Sequence, residues 1–261
     1  MPEHQEKSIV QSIERMSPSV YRLTLHAPLI AGEARPGQFA MVACGSTLDP
    51  LLRRPISIHQ CSGDGRLQLV FKVVGRGTQL LSEIRAGQTL DLLGPLGRGF
   101  RLSLGPVALI GGGIGIAPLL FLAQSLMQTG QADAPCRVLL GAQSGEDLAP
   151  LAAGFATLGC DVELATDDGS LGRHGLITDL LPAHLPNLGK VYACGPHPMM
   201  AAVAALCASA QVDCEVSLEA HMACGLGACL GCAAPGADGR YKHVCKHGPV
   251  FKAEEVAWTT R

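Results

Sequence analysis

Residues 107–118 read VALIGGGIGIAP, an apolar run that passes directly into a glycine-rich turn and then a proline. A buried strand, a tight turn and a helix with proline at its first position would give this pattern. The stretch from Leu102 to Ala132 has no charged side chain, so a hydropathy window would mark it as a membrane span. The glycines within 111–115 and Pro118 interrupt it in the middle, and we therefore expect a strand–turn–helix unit instead.

Three further apolar runs follow the first at intervals of about thirty residues, at 137–140, 162–165 and 190–193. Helix-like segments lie between them, at 118–128, around 148–158 and after each later turn. This alternation predicts an α/β domain built on an open parallel sheet.

The turns after these strands would lie together at the carboxyl edge of the sheet, where α/β proteins bind their ligands. Glycines in such a turn let a pyrophosphate approach the backbone at a helix N-terminus, although similar turns also occur for packing alone. Two more strand-end turns, at 166–169 and 194–196, favour nucleotide binding. The candidate residues are Gly111, Gly112, Gly113, Gly115, Cys194, Gly195 and Pro196.

The first hundred residues have the pattern of an antiparallel β-barrel. Apolar and polar side chains alternate from Tyr21 to Ala27 and from Leu67 to Val73, and Pro36-Gly37 and Gly94-Pro95 mark turns. Two cations, Arg53 and Arg54, precede Pro55, Ile56 and Ser57 in an otherwise apolar region. Gly75 to Thr78 begins a predicted helix, with Thr78 as the candidate cap. An arginine beside a helix start suits a diphosphate, but a solvated arginine pair beside a turn fits these residue types equally well.

Four of the 11 cysteines fall in the glycine-rich tail with the spacing C-x4-C-x2-C-x12-C: Cys224, Cys229, Cys232 and Cys245. The first three ligands have the spacing of plant-type [2Fe–2S] ferredoxins, and the small residues between them would let backbone N–H groups point at the sulfurs. A structural zinc site is the main alternative, although Cys245 lacks a near partner. The other seven cysteines share no ligand spacing, and a buried apolar role suits all of them except Cys194, which we keep as a candidate.

Composition excludes several classes of protein. Hydrophobic residues make up 48% and charged residues 16% of the chain, with a formal charge of −2, which is typical of a globular protein. Near-zero charge gives no general attraction to nucleic acid or anionic lipid. The N-terminus shows no secretory signal, so we expect a cytoplasmic protein with reduced thiols.

Taken together, Arg54 to Ser57, Gly113 to Pro118 and Cys194 to Pro196 resemble the ferredoxin–NADP reductase superfamily. The segments 51–58, 94–97, 224–229 and 244–251 further resemble the electron-transfer subunit of class 1B dihydroorotate dehydrogenase, over about Ser8 to Val256. Ile56 replaces the aromatic residue that many superfamily members have at this point. His221 and Lys246-His247 stand where an arginine and an acidic residue would be expected.

The resemblance implies an FAD site, an NAD site and a [2Fe–2S] cluster. FAD would be bound by Arg54, Pro55, Ile56, Ser57, Val70, Phe71, Lys72, Gly77 and Thr78, and NAD by the glycine turn and Cys194 to Pro196. The four tail cysteines would hold the cluster, facing an FMN-containing catalytic subunit in a heterotetramer of two plus two chains. The complex would oxidise dihydroorotate and reduce NAD+ in pyrimidine (UMP) biosynthesis.

The predicted fold is thus α+β and multidomain. It comprises an FAD-binding barrel (1–101), an NAD-binding α/β domain (102–214) and a [2Fe–2S] loop subdomain (215–261). One alternative is a reductase subunit that serves a ferredoxin- or sulfide-linked acceptor. Another, of a different class, is a zinc-stabilised binding module that has kept only the nucleotide fold.

Overall fold

The computed structural model describes residues 3–45, 49–129 and 136–258. Six antiparallel strands form a closed barrel in the order β1-β2-β5-β4-β3-β6. Their bounds are His4–Arg15 (β1), Val20–His26 (β2), Phe39–Val42 (β3), Arg54–Cys61 (β4), Arg66–Lys72 (β5) and Thr89–Leu96 (β6). Two short helices, α1 (Pro28–Glu33) and α2 (Arg76–Ser82), lie in the connections.

The alternation in β2 and β5 has a direct structural cause. Leu23 pairs with Leu69 and Leu25 with Leu67, and all four side chains are fully buried inside the barrel. Since neighbouring residues of a strand point to opposite faces, the intervening polar residues lie outside. The predicted barrel is confirmed.

The second unit is a seven-stranded sheet in the order β10-β9-β8-β7-β11-β12-β15. Its parallel strands are β7 (Val107–Gly112), β8 (Cys136–Ala142), β9 (Asp161–Thr166), β10 (Arg173–His174), β11 (Lys190–Cys194) and β12 (Asp213–Ser217), and β15 (Val250–Lys252) pairs antiparallel with β12. The helices of this unit are α3 (Ala117–Gln128), α4 (Gly145–Thr157) and α5 (His197–Ala210). The parallel α/β prediction is confirmed.

The tail contributes to this sheet. Strand β12 crosses the predicted boundary between residues 214 and 215, and β15 forms the edge of the sheet. The remainder of the tail carries a two-stranded hairpin, β13 (Ala233–Pro235) and β14 (Tyr241–His243), and the short helix α6 (Val244–His247).

One predicted helix is wrong. After β10, where a helix was expected to follow the turn at 166–169, the chain forms three short 3-10 segments at Ile177–Asp179, Leu181–Ala183 and Leu185–Asn187. Pro182 and Pro186 lie within this stretch and supply no backbone N–H, so a continuous α-helical hydrogen-bond ladder cannot form there. Among the described residues, no helix is long and apolar enough to cross a lipid bilayer.

The barrel and the parallel sheet meet where α3 packs on β4. His59 of β4 is 2% exposed, and its Nδ1 donates a hydrogen bond of 2.6 Å to the carbonyl oxygen of Ala117, which can only accept. Burial lowers the pKa of His59 to about 4, so the ring is neutral in the folded protein at neutral pH.

This histidine makes stability depend on pH in a defined window. Between an ordinary pKa near 6.5 and the folded pKa near 4, the unfolded chain binds a proton that the folded chain does not. The contribution of His59 to the free energy of unfolding is therefore fully present above pH 6.5. It falls by about 3 kcal/mol as the pH drops to 4. Urea unfolding at several pH values should show that His59→Asn, whose amide can still donate to Ala117, loses less stability over this window than wild type. Parallel curves would contradict the assignment.

Candidate functional site

The two arginines of the barrel motif have different roles. Arg53 makes an ion pair of 3.0 Å with Asp91 and also donates to the Asp91 carbonyl oxygen at 2.7 Å, so its guanidinium belongs to the barrel wall. The Arg54 guanidinium instead lies against the backbone of Gly77, where an added Cβ would be 2.6 Å from Nε and 2.8 Å from Cζ. A side chain at position 77 would displace the guanidinium from this place, and the same guanidinium also donates to the Leu52 carbonyl oxygen. The two arginines therefore do not act as one pair.

Thr78 shapes the loop that precedes α2. Its hydroxyl accepts hydrogen bonds from the N–H groups of Val74 (3.0 Å) and Gly75 (3.2 Å) and donates to the Gly75 carbonyl oxygen at 2.9 Å. Thr78, the candidate cap, is the third residue of α2, which begins at Arg76, so it does not occupy the position before the helix. The hydroxyl nevertheless caps from inside the helix, because it satisfies two N–H groups of the preceding loop.

The other candidate flavin residues differ in what they can present to a ligand. Ile56, Val70 and Phe71 are at most 5% exposed and belong to hydrophobic cores, so their side chains are committed to packing. Ser57 and Pro55 are half-buried on β4. Among the described residues, the Ser57 hydroxyl makes no hydrogen bond within the chain. A cationic guanidinium together with a hydroxyl that has no partner among the described residues suits a diphosphate and a flavin edge.

A cavity of about 540 Å³ lies between the barrel and the carboxyl edge of the parallel sheet. Five of the seven candidate nucleotide-binding residues line it, Gly112, Gly113, Gly115, Gly195 and Pro196, together with Lys72 of the barrel. The other two nucleotide candidates do not. Gly111 is buried in β7, where an added Cβ would meet Ile116 and Leu140, and Cys194 is buried at the end of β11, where burial raises the pKa of its thiol to about 12.

The glycines of the turn serve both of the purposes that the sequence left open. An added Cβ on Gly115 would lie 2.6 Å from the backbone of Gly195, so these two turns can pack together only without side chains. Gly113 has a φ of +54°, and an added Cβ there would meet nothing within 4 Å. Gly115 thus permits packing between strands, and Gly113 leaves the backbone open toward the cavity.

Sequence reasoning missed several cavity residues, of which Gln143, Asp147, Thr178 and Glu219 carry polar side chains. Glu219 follows the carboxyl end of β12. Burial raises the pKa of its carboxyl group. The rule that ligands bind at strand ends would have indicated it if β12 had been recognised as a strand.

The four tail cysteines are arranged as two pairs. The Cys224 sulfur accepts hydrogen bonds from the N–H groups of Leu226 and Cys229, both at 3.4 Å, and also contacts the Cys229 thiol. The Cys232 and Cys245 sulfurs are 3.2 Å apart, and the N–H of Gly227 donates to Cys245 at 3.1 Å. Among the described residues, no three His, Cys, Asp or Glu side chains are grouped closely enough to hold a single metal ion.

This arrangement has the donors that a dinuclear iron–sulfur cluster requires. Such a cluster takes four thiolates, and hydrogen bonds from the loop to the sulfurs tune its potential. Although burial raises the pKa of Cys224, hydrogen bonds from Cys229 and Leu226 outweigh burial and lower it to about 6, so the loop already favours a thiolate. The residues therefore fit a [2Fe–2S] group.

The cysteine loop is held by the barrel and by its own tail. An added Cβ on Gly225 would be 2.6 Å from Met41 of β3, and one on Gly227 would be 2.6 Å from Lys246. Both glycines have positive φ, which explains the small residues in this segment. Cys232 and Cys245 share a hydrophobic core with Met41 and Leu96 of the barrel. Cys229 is exposed.

Three family models match consecutive parts of the chain. The oxidoreductase FAD-binding domain matches residues 7–100 and the oxidoreductase NAD-binding domain matches residues 109–205. The iron–sulfur cluster binding domain of dihydroorotate dehydrogenase B matches residues 219–257.

Similar proteins cover nearly the whole chain. The dihydroorotate dehydrogenase B (NAD(+)) electron transfer subunit of Desulforamulus reducens is 43% identical, over 95% of this chain and 97% of the relative. The subunit of the same name from Bacillus caldolyticus is 40% identical, over 96% of this chain and 98% of the relative. A solved structure of NADH-dependent reduced ferredoxin-NADP oxidoreductase superposes with a TM-score of 0.86 at 30% identity, over 97% of this chain and 90% of that one.

These comparisons confirm the resemblance inferred from the motifs, together with the three predicted cofactor classes. The barrel, the parallel sheet and the cysteine loop correspond in order to FAD-binding, NAD-binding and iron–sulfur domains. The chain belongs to the family of electron transfer subunits of dihydroorotate dehydrogenase B (NAD(+)).

Proposed function

We propose that this chain relays electrons from an FMN-containing catalytic subunit, which oxidises dihydroorotate to orotate, through a [2Fe–2S] cluster and FAD to NAD+. This step belongs to pyrimidine biosynthesis in the cytoplasm. The observation that carries the proposal is the continuity of the three sites. The barrel forms one wall of the nucleotide cavity through Lys72, and the cysteine loop packs against the same barrel at Met41.

The proposed division of labour assigns FAD to residues 1–101, NAD to 102–214 and the cluster to 215–261. When bound, FAD exchanges a hydride with the nicotinamide and single electrons with the cluster. Arg54 and Gly77 would bind the FAD diphosphate with Thr78 ordering their loop, and Ser57 with the β5 backbone at 70–72 would contact the flavin. Gly112 to Gly115, Gly195 and Pro196 would bind NAD, with Gly111 and Cys194 supporting these turns from behind. No side chain is required to transfer a proton.

The cysteine loop would face the partner. Cys229 is exposed, and Leu226 and Leu230 beside it are 42% and 55% exposed. Exposed apolar side chains around a redox centre favour a docked protein over solvent. We propose a heterotetramer with two copies of each chain.

An anaerobic NADH titration followed by visible absorption tests the relay. Stepwise loss of a flavin band and of a broader, red-shifted cluster band supports it, and mixing with the catalytic subunit should then give NADH formation that depends on dihydroorotate. A colourless chain that takes up neither FAD nor iron on reconstitution would overturn the proposal.

A second candidate is a reductase that serves a ferredoxin-linked acceptor. This candidate is supported by the TM-score of 0.86 to the structure of NADH-dependent reduced ferredoxin-NADP oxidoreductase. Copurification with an FMN protein supports the first function, whereas electron transfer with ferredoxin and none with the catalytic subunit supports the second.

Asp167 is expected to set the preference for NAD over NADP. It follows β9 and lines the cavity, whereas the neighbouring Asp168 carboxylate is engaged by the N–H and hydroxyl of Ser170 at 2.9 and 2.6 Å. A carboxylate at this edge accepts from a ribose 2′-hydroxyl and repels a 2′-phosphate. We expect Asp167→Ser to lower the NADH-to-NADPH ratio of kcat/KM by roughly tenfold or more, since loss of a charged hydrogen bond costs about that much. An unchanged ratio, or an equal change in Asp168→Ser, would contradict this.

A further inference from the structure

Asp147 joins the barrel to the nucleotide-binding sheet at the cavity itself. It lies in the first turn of α4, and both of its carboxylate oxygens contact barrel residues. Oδ1 accepts a hydrogen bond of 2.7 Å from the Ser17 hydroxyl, and Oδ2 is 3.4 Å from Nζ of Lys72. Ser17 is in the β1–β2 turn and is 7% exposed, while Lys72 ends β5. One side chain therefore holds two separate segments of the barrel.

We propose that Asp147 is a positioning residue that fixes the barrel relative to the nucleotide-binding sheet, and so sets the approach of the nicotinamide to the flavin. The inference rests on the proposed function for the identity of these two reactants. It adds a residue that lines the cavity, is not among the FAD or NAD ligands assigned above, and acts through Ser17 and Lys72.

The location of the contact gives it this role. Lys72 and Val20 are the barrel's contribution to the cavity wall, and Asp147 lies in the opposite wall formed by the sheet and α4. Widening of the cavity between the two units would therefore draw Asp147 away from Ser17 and Lys72. Hydride transfer requires reacting atoms within about 3–3.5 Å, and a displacement of about 1 Å can slow a reaction by roughly a hundredfold.

Charge supports the same conclusion. Among the described residues that line the cavity, Lys72 is the single Lys or Arg, whereas Asp147, Asp167 and Glu219 supply three carboxylates. Lys72 is paired with the one carboxylate of the three that hydrogen-bonds a second barrel residue, Ser17. The pair thus determines where the Lys72 ammonium group is held in this wall.

The contact is nevertheless a minor part of what holds the two units together. Val20 and Val70 of the barrel share a hydrophobic core with Leu119 and Leu151 of the sheet's helices, and His59 binds Ala117. The Lys72 and Asp147 side chains are 40% and 24% exposed, and ion pairs of this kind contribute little to stability. Removing Asp147 should therefore loosen the alignment without unfolding the chain.

The test compares Asp147→Ala and Asp147→Asn with wild type in the FAD-loaded chain. The asparagine can still accept from Ser17 but loses the charge that holds Lys72. Asp161→Ala is the matched control, because Asp161 pairs with Arg137 of the neighbouring strand within one sheet. Stopped-flow absorption measures FAD reduction at saturating NADH, and hydrogen exchange with mass spectrometry measures opening of segments 15–20 and 145–151 in the same proteins.

We expect the Asp147→Ala rate at saturating NADH to fall roughly ten- to hundredfold with FAD content unchanged, and Asp147→Asn to be intermediate. Exchange in both segments should rise in Asp147→Ala and stay unchanged in Asp161→Ala. A change confined to the KM for NADH would make Asp147 a binding residue and overturn the proposal. Unchanged hydrogen exchange of the two segments in Asp147→Ala would also overturn it. This second measurement does not depend on electron transfer, so it tests the proposal even if the proposed relay is wrong.

Discussion

In the Cys229→Ala variant, we expect electron transfer between this chain and the catalytic subunit to fall by roughly a hundredfold or more, because a [2Fe–2S] cluster needs all four thiolates. NADH-dependent reduction of ferricyanide should remain within about twofold of wild type, since that reaction needs the FAD and NAD sites alone. The structure supports this separation. Cys229 is exposed on its loop, whereas the nucleotide cavity is lined by other segments of the chain.

The matched control is Cys61→Ala. Cys61 is a half-buried barrel cysteine far in sequence from the loop, and its replacement should leave both reactions intact. Iron content and visible absorption would show that only Cys229→Ala loses the cluster. If NADH no longer reduces FAD in Cys229→Ala, the proposed separation between cluster and flavin chemistry is wrong.

The second large effect is expected for Arg54→Gln. The Arg54 guanidinium is held against the Gly77 backbone, and its charge would be lost from the proposed diphosphate site. Two charged hydrogen bonds are together worth about 3 kcal/mol, which corresponds to roughly a hundredfold weaker binding of FAD. Fluorescence titration of the FAD-depleted chain with FAD measures this directly.

Arg53→Gln provides the control, because the two arginines are adjacent in sequence and differ in their partners. Arg53 is held by Asp91, so its replacement should lower barrel stability while FAD affinity changes by less than about threefold. Equal losses of FAD affinity in both variants would contradict the assignment of Arg54 as the diphosphate ligand.

Local pattern accounts for the parts of the fold that sequence reasoning predicted. The alternation around Leu23 and Leu69 defines strands whose inward faces fill a barrel, and each strand carries its own signal. The apolar runs at 107–110 and 137–140 are likewise each complete within a few residues. The cysteine spacing of the tail is also a local signal, because three of the ligands lie within nine residues of chain.

The predictions that failed concern segments where two local signals compete, or where the pairing strand is distant along the chain. Pro182 and Pro186 were present in the sequence, but the alternation of strands and helices favoured a helix that the missing N–H groups do not allow. Strand β15 is three residues long and exists because β12 offers it an edge. No pattern within Val250–Lys252 predicts that pairing.

The sequence by itself determined the order of the three units, the barrel and parallel-sheet classes, and the cysteines that suit a cluster, because periodicity and spacing are properties of neighbouring residues. Only the tertiary structure decided which arginine faces Gly77, that Gly115 packs on Gly195, and that Asp147 meets Ser17 and Lys72. Each of these choices depends on contacts between segments that are distant along the chain. Such contacts arise only when packing brings the segments together, so they leave no local pattern from which to predict them.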